Sequence, residues 1–227
     1  MPSKRILLLT FMTVLFLILC GTAAASDTIN LSADNTGVSN TYWSYDSVTN
    51  TYTILDNVSV TSTTQVTGVT APINFVNTYG KTITWNADVT GSTTGSLIEM
   101  TSTGGKFDMI GGQIKQEKGG SNALGIRFFD QVVLRNDAKV IAIGDYVIAI
   151  SADLSDIYVN DNAQVRTTGN GTIAILTADN DIYVNDNAQI SADGAGFNTA
   201  IHNTMGDVKI NGGTISITGQ SSIAILC

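Results

Sequence analysis

The chain has 227 residues, 43% apolar, 13% charged and 7% aromatic, with 11 Lys+Arg against 19 Asp+Glu and a formal charge of -8. Such an acidic balance has no electrostatic footprint for a phosphate backbone, which excludes nucleic acid as an expected partner. Low charge, with Thr, Asn, Asp, Gly, Ile and Val prominent, is the vocabulary of strands and tight turns rather than of helix bundles, and apolar residues recur too often for disorder.

The first segment reads as an address. Lys4 and Arg5 precede an apolar run from Ile6 to Cys20, and Ala23-Ala24-Ala25 follows. A basic start, an apolar stretch and small residues in an A-x-A arrangement make a secretory signal peptide over residues 1–25. The run is shorter than the ~20 residues of a spanning helix. Leu19 stands where lipoprotein processing has a small residue before the cysteine, which argues against lipidation at Cys20. Cys227 is the other cysteine, so a processed chain has no disulfide pair and no thiol metal cluster.

Residues 26–60 are expected to form an N-terminal cap and the first coil strand. Trp43-Ser-Tyr-Asp46 reads as a strand, Asp46–Asn50 as a turn, and Trp43 as a plug for the open end. From residue 61 onward a repeat takes over. The segment Asp156-Ile-Tyr-Val-Asn-Asp-Asn-Ala-Gln-Val165 returns 25 residues later as Asp181-Ile-Tyr-Val-Asn-Asp-Asn-Ala-Gln-Ile190. Short triplets with apolar ends at Phe107–Met109, Val132–Leu134 and Val208–Ile210 are weaker copies at nearly the same step. A second column pairs Ile73/Phe75, Ile98/Met100, Leu124/Ile126, Ile148/Ile150, Ile173/Ile175, Thr199/Ile201 and Ile223/Ile225; a third runs Val60, Val89, Ile114, Val140, Val165, Ile190, Ile215. Gly, Asn and Asp occupy the intervening turns, where left-handed backbone angles are cheap for them.

Three short strands per ~25-residue coil, repeated about seven times over residues 61–227, predict an all-β parallel solenoid. Parallel crossovers are overwhelmingly right-handed, so the expected fold is a right-handed parallel β-helix. At ~4.8 Å per stacked strand, seven coils make a rod about 35 Å long. The chain stops inside an apolar strand at Ser-Ile-Ala-Ile-Leu-Cys227, from which we expect further coils beyond this point.

Catalytic constellations are not evident. His202 is the only histidine and no Ser or Cys motif surrounds it. Two outward ladders are candidates instead. Tyr158 and Tyr183 stand one coil apart beside Gln164 and Gln189 and are expected to expose two aromatic planes suited to stacking on sugar rings, the alternative being that like residues on adjacent coils stack for mutual support. Asp156, Asp161, Asp181 and Asp186 could collect a calcium ion through carboxylate and carbonyl oxygens, although Asn and Asp also close turns on their own backbone. No other cofactor is expected. Ala149, Ala174, Ala200 and Ala224 are expected to form a flat outer face of small residues.

The phrases Trp43-Ser-Tyr-Asp with Asn50-Thr-Tyr-Thr-Ile54, and Asn211-Gly-Gly-Thr-Ile-Ser-Ile-Thr-Gly219, resemble secreted right-handed β-helix proteins of bacterial and archaeal cell surfaces, including adhesin-like proteins and a non-catalytic, calcium-dependent pectate-binding family. That resemblance implies an extracellular, non-enzymatic protein whose partners are cell-wall polysaccharide or other surface proteins, and which meets a membrane only through its signal peptide or an anchor further along. Pectate lyases and polygalacturonases resemble the chain in architecture alone. Their Gly-His-Gly and Arg-x-Lys motifs do not occur, and Arg127, Arg135 and Arg166 stand in no Arg-x-Pro-x-x-Arg setting. A polysaccharide-active enzyme with catalytic coils past residue 227, or a structural stalk, are the alternatives. N-terminal sequencing of the secreted protein should begin near Ser26; an intact Met1 in a membrane fraction would contradict the signal-peptide reading.

Overall fold

The computed structural model describes residues 27–32, 40–101 and 103–227. The expected signal peptide and part of the expected cap lie outside the described residues. Among those described there are 22 strands and no helix, and hence no helix long and apolar enough to cross a membrane.

The strands stack into three parallel ladders around one core. The first ladder carries the triplets, from Thr28–Asn30 through Lys106–Met109, Gln131–Leu134 and Asp156–Val159 to the start of Ile182–Asp193. The second runs from Val66–Val69 through Gln113–Gln116, Lys139–Ile143 and Gln164–Thr168 to the later half of Ile182–Asp193. That 12-residue strand serves both ladders, bending at the corner between them. The third ladder runs from Thr51–Ile54 through Ile73–Val76, Asn122–Arg127, Ile148–Asp153 and Ile173–Thr177 to Ile223–Leu226, and with Trp43–Asp46 it makes a separate nine-stranded sheet. The chain is therefore a parallel β-solenoid of three strands per coil, as the 25-residue periodicity predicts. Among the described residues the one antiparallel pair is a hairpin, Trp43–Asp46 against Thr51–Ile54, toward the N-terminal end of the solenoid.

Each ladder directs one apolar column inward. In the first, Ile83, Phe107, Val132, Ile157 and Ile182 are register partners and fully buried. In the second, Val89, Ile114, Val140, Val165 and Ile190 do the same. Val60 does not belong to that column. It pairs with Ile29 and Trp85 in the first ladder, and Val66 takes its place beside Val89.

The second sequence column needs a larger correction. Ile150 pairs with Leu124, not Ile126, so from that coil onward the register is two residues away from the even-step alignment. The inward column is Ile73, Ile98, Leu124, Ile150, Ile175, Ile201 and Ile225. Ile148 and Ile173 are register partners on the half-buried outer side. The reason is a break in strict alternation at the start of these strands, where the coil turns its corner: Ala149 and Ile150 are both fully buried, as are Ala174 and Ile175, and Ala200 and Ile201. A small side chain fits inside the bend. The expected outer face of Ala149, Ala174 and Ala200 is thus core.

The N-terminal coils are filled by aromatic rings in sequence. Trp43 packs on Tyr52 at 5.8 Å between centroids, Tyr52 stacks on Phe75 at 5.3 Å, and Phe75, Trp85 and Phe107 follow at 6.2 Å steps. Trp43 is 2% exposed, consistent with its expected place over the end of the core. Trp85 donates its indole N–H to the Ala87 carbonyl at 2.9 Å, so this ring meets its polar need inside the core. At the corner between the first and second ladders, Asn136, Asp161 and Asp186 take φ of 57°, 55° and 58°, the left-handed angles their sequence positions suggest. One coil earlier the corner holds Gly112, where a Cβ would meet the Ala87 carbonyl oxygen at 2.5 Å. Only glycine fits there.

The register makes a paired prediction. Ile175→Asp places a charge in the shared core at a cost of several kcal/mol and should lower Tm sharply. Ile173→Asp, two residues away on the outer side, should shift Tm far less. Equal effects in thermal melts would contradict the register.

Candidate functional site

The tyrosine ladder forms, but its rings turn otherwise than a sugar platform requires. Tyr158 and Tyr183 are direct register partners in a column that runs Thr84, Asp108, Val133, Tyr158, Tyr183, Lys209. Their centroids are 4.5 Å apart and their planes 2° from parallel. Strands ~4.8 Å apart place in-register rings at stacking distance, so the two faces cover each other. On the other side of Tyr183 the Lys209 ammonium lies 4.9 Å from the ring centroid, and Val133 is the register neighbour of Tyr158. What solvent meets is ring edges and hydroxyls, not the two free planes the alternation suggests.

The Tyr183 hydroxyl joins a charged cluster. Tyr183 donates its hydroxyl to Asp181 Oδ2 at 3.0 Å, and Lys209 Nζ donates to the same oxygen at 2.6 Å. Lys209, then the Asp207 backbone N–H, then the Tyr183 hydroxyl hold the Asp181 carboxyl down at about 2. The same contact, with Asp181 first, pushes the Lys209 ammonium up. Desolvation, followed by the Asp156 charge, raises Tyr158.

The four candidate calcium ligands lie in two separate groups, each joining coil to coil. Asp156 accepts from the backbone N–H of Asp181 and from Asn180 Nδ2, both at 3.1 Å. Asp181 accepts from the Asp207 N–H at 2.9 Å. Around the corner Asp161 accepts from the Asn136 N–H at 2.8 Å, and Asp186 from the Asp161 N–H at 3.3 Å. Among the described residues no group of three or more His, Cys, Asp or Glu is arranged to hold a metal ion. The carboxylates occupy backbone amides one coil away, as turn chemistry favours.

Gln164 and Gln189 are register partners in the second ladder, past the Asp161/Asp186 corner from the tyrosines. They line a groove with Arg166, Ser191, Asp193, Thr214 and Ser216, and neither tyrosine contributes to it. Arg166 Nε lies 3.3 Å from Asp193 Oδ2, with both side chains partly exposed. The expected strip of tyrosines and glutamines is therefore divided between two faces. Sequence reading singles out neither Ser191 nor Asp193 and weighs Arg166 only against a lyase motif, although alternation about the inward Val165 and Ile190 marks all three as outward.

A second charged group also escaped sequence reading. Asp108, 7% exposed, receives a bidentate Arg135 contact, Nε to Oδ1 at 2.9 Å and the terminal nitrogen to Oδ2 at 3.3 Å, with Lys106 Nζ 3.3 Å from Oδ2. Burial pushes this carboxyl up, but the Arg135 hydrogen bond and the Lys106 charge outweigh it and hold it below its ordinary range. Arg135 and Asp108 stand on successive coils and tie them together. His202 is half-buried on the third ladder, in register with Leu176 and Leu226.

Comparison with protein-family models, with curated proteins and with solved structures found no match to this chain.

The Asp181 cluster sets a titration. A carboxyl held down contributes stability above its unfolded value, and that contribution is lost as pH falls through about 2. A raised ammonium contributes until pH rises past its folded value, so the Lys209–Asp181 contact spans the neutral range. NMR titration of the Asp181 carboxyl should give a midpoint near 2, moving toward its ordinary 3.8 in Lys209→Ala. A midpoint unchanged by that substitution would remove Lys209 as the cause.

Proposed function

We propose that the chain is exported and acts outside the cell as a non-enzymatic surface protein, presenting the repetitive faces of its solenoid to an extended polysaccharide or to an adhesion partner. The observation that carries this reading is the registration of outward side chains. Successive coils place Gln164, Gln189 and Thr214 in one straight row, and Arg166, Ser191 and Ser216 in another. Repeated chemistry at a fixed step matches a ligand that is itself repetitive. The signal peptide supplies the route out of the cell, and the resemblance to adhesin-like and pectate-binding β-helix proteins points to the same setting. A small metabolite is a poorer fit, because it needs a concave site that encloses most of its surface.

A structural stalk is the second reading, and a specific observation favours it. Asn185 Nδ2 donates to Asn160 Oδ1 at 2.7 Å and Asn211 Nδ2 to Asn185 Oδ1 at 3.1 Å, so one outer ladder satisfies itself. The stacked tyrosines do likewise.

A polysaccharide array probed with the folded mature chain separates the two. Binding to at least one polymer is expected, and a blank array with folded protein favours the stalk. Chelator should leave that binding unchanged, since Asp156, Asp161, Asp181 and Asp186 already accept backbone amides. Loss of binding in EDTA would reinstate calcium.

A further inference from the structure

We infer that the groove of the second ladder, lined by Gln164, Arg166, Gln189, Ser191, Asp193 and Thr214, is a binding site for an uncharged, hydroxyl-rich glycan chain lying along the stacking direction; this rests on the polysaccharide reading and names its site and ligand class.

The first argument is unused hydrogen-bonding capacity. Several polar ladders on this solenoid are internally joined: Asn160 to Asn185 and Asn185 to Asn211, Asp156 with the next coil's amide, Asp108 with Arg135. The groove differs. Among the described residues, none hydrogen-bonds the side chains of Gln164, Gln189, Ser191 or Thr214. Two amides and two hydroxyls, each able to donate and accept, converge on one concave strip. Hydroxyl-rich chains carry the matching mixture of donors and acceptors.

Charge selects the class. Arg166 and Asp193, 3.3 Å apart, bring opposite charges into the groove and leave it without a net sign. A polyanion would meet Asp193 and the chain's overall charge of -8, while a polycation would meet Arg166. An exposed ion pair is weak, so the guanidinium keeps donors for neighbouring sugar hydroxyls at little cost. Geometry sets the direction. The rows advance ~4.8 Å per coil, comparable with the rise of one sugar unit in an extended glycan.

The test uses the mature chain against neutral polymers (glucan, mannan, galactan) and acidic ones (polygalacturonate, alginate), with unchanged thermal melts as the control for folding. Arg166→Ala/Gln189→Ala should weaken neutral-glycan binding about tenfold or more, the equivalent of losing one or two hydrogen bonds. Ser191→Trp, which fills the groove from an outward position, should do the same. Tyr158→Ala/Tyr183→Ala should retain binding. Binding that survives both groove variants but is lost in the tyrosine variant would overturn the groove and leave polysaccharide binding standing. Capture of acidic polymers alone would overturn the ligand class. A folded chain that binds none of these polymers would overturn both this inference and the reading beneath it.

Discussion

Everything in this molecule depends on parallel pairing of one coil with the next at a step near 25 residues. No coil has a core of its own, because each contributes one inward residue or two per strand and must share them with neighbours above and below. Backbone bonds run through strands and turns alike: Asn160 N–H to the Leu134 carbonyl at 2.9 Å, Asn162 N–H to Asn136 at 3.0 Å, Gln164 N–H to Ala138 at 2.8 Å. A slip by one residue would turn the buried Ile157, Val165 and Ile175 outward together, so core and register enforce each other.

The same registration governs the surface. Like residues one coil apart are brought to ring-stacking or hydrogen-bonding distance whether or not a ligand is present. Tyr158 and Tyr183 stack, the Asn160 column links its amides, and Asp161 caps the coil before it. A repeated polar motif is thereby first a device for joining coils. Function has to be sought where a repeated position remains unjoined, and the Gln164–Gln189–Thr214 row is such a place.

Cross-coil charge pairs add a second tie. Arg135 grips Asp108 from the next coil, and Lys209 grips Asp181. The Asp108 pair is sheltered and geometrically bidentate, whereas the Asp181 pair is open to solvent and screened, so the first is the stronger contribution to holding coils together. Aromatic packing from Trp43 to Phe107 anchors the N-terminal coils, where the strand repeat is least regular.

The sequence by itself determined the solenoid, since a 25-residue period in apolar triplets and Asn/Asp corners admits few folds. It also marked Tyr158 and Tyr183 as register neighbours, and Asp161 and Asp186 as left-handed corners, because these follow from local alternation and turn chemistry. Only the tertiary structure decided the register of the third ladder, since a corner buries Ala149 and Ile150 side by side and periodicity cannot see a bend. The direction of the tyrosine planes, the occupancy of the aspartate oxygens and the separation of Gln164 from Tyr158 were likewise decided in three dimensions. Each depends on what the adjacent coil places about 4.8 Å away, and no single strand of sequence carries that information.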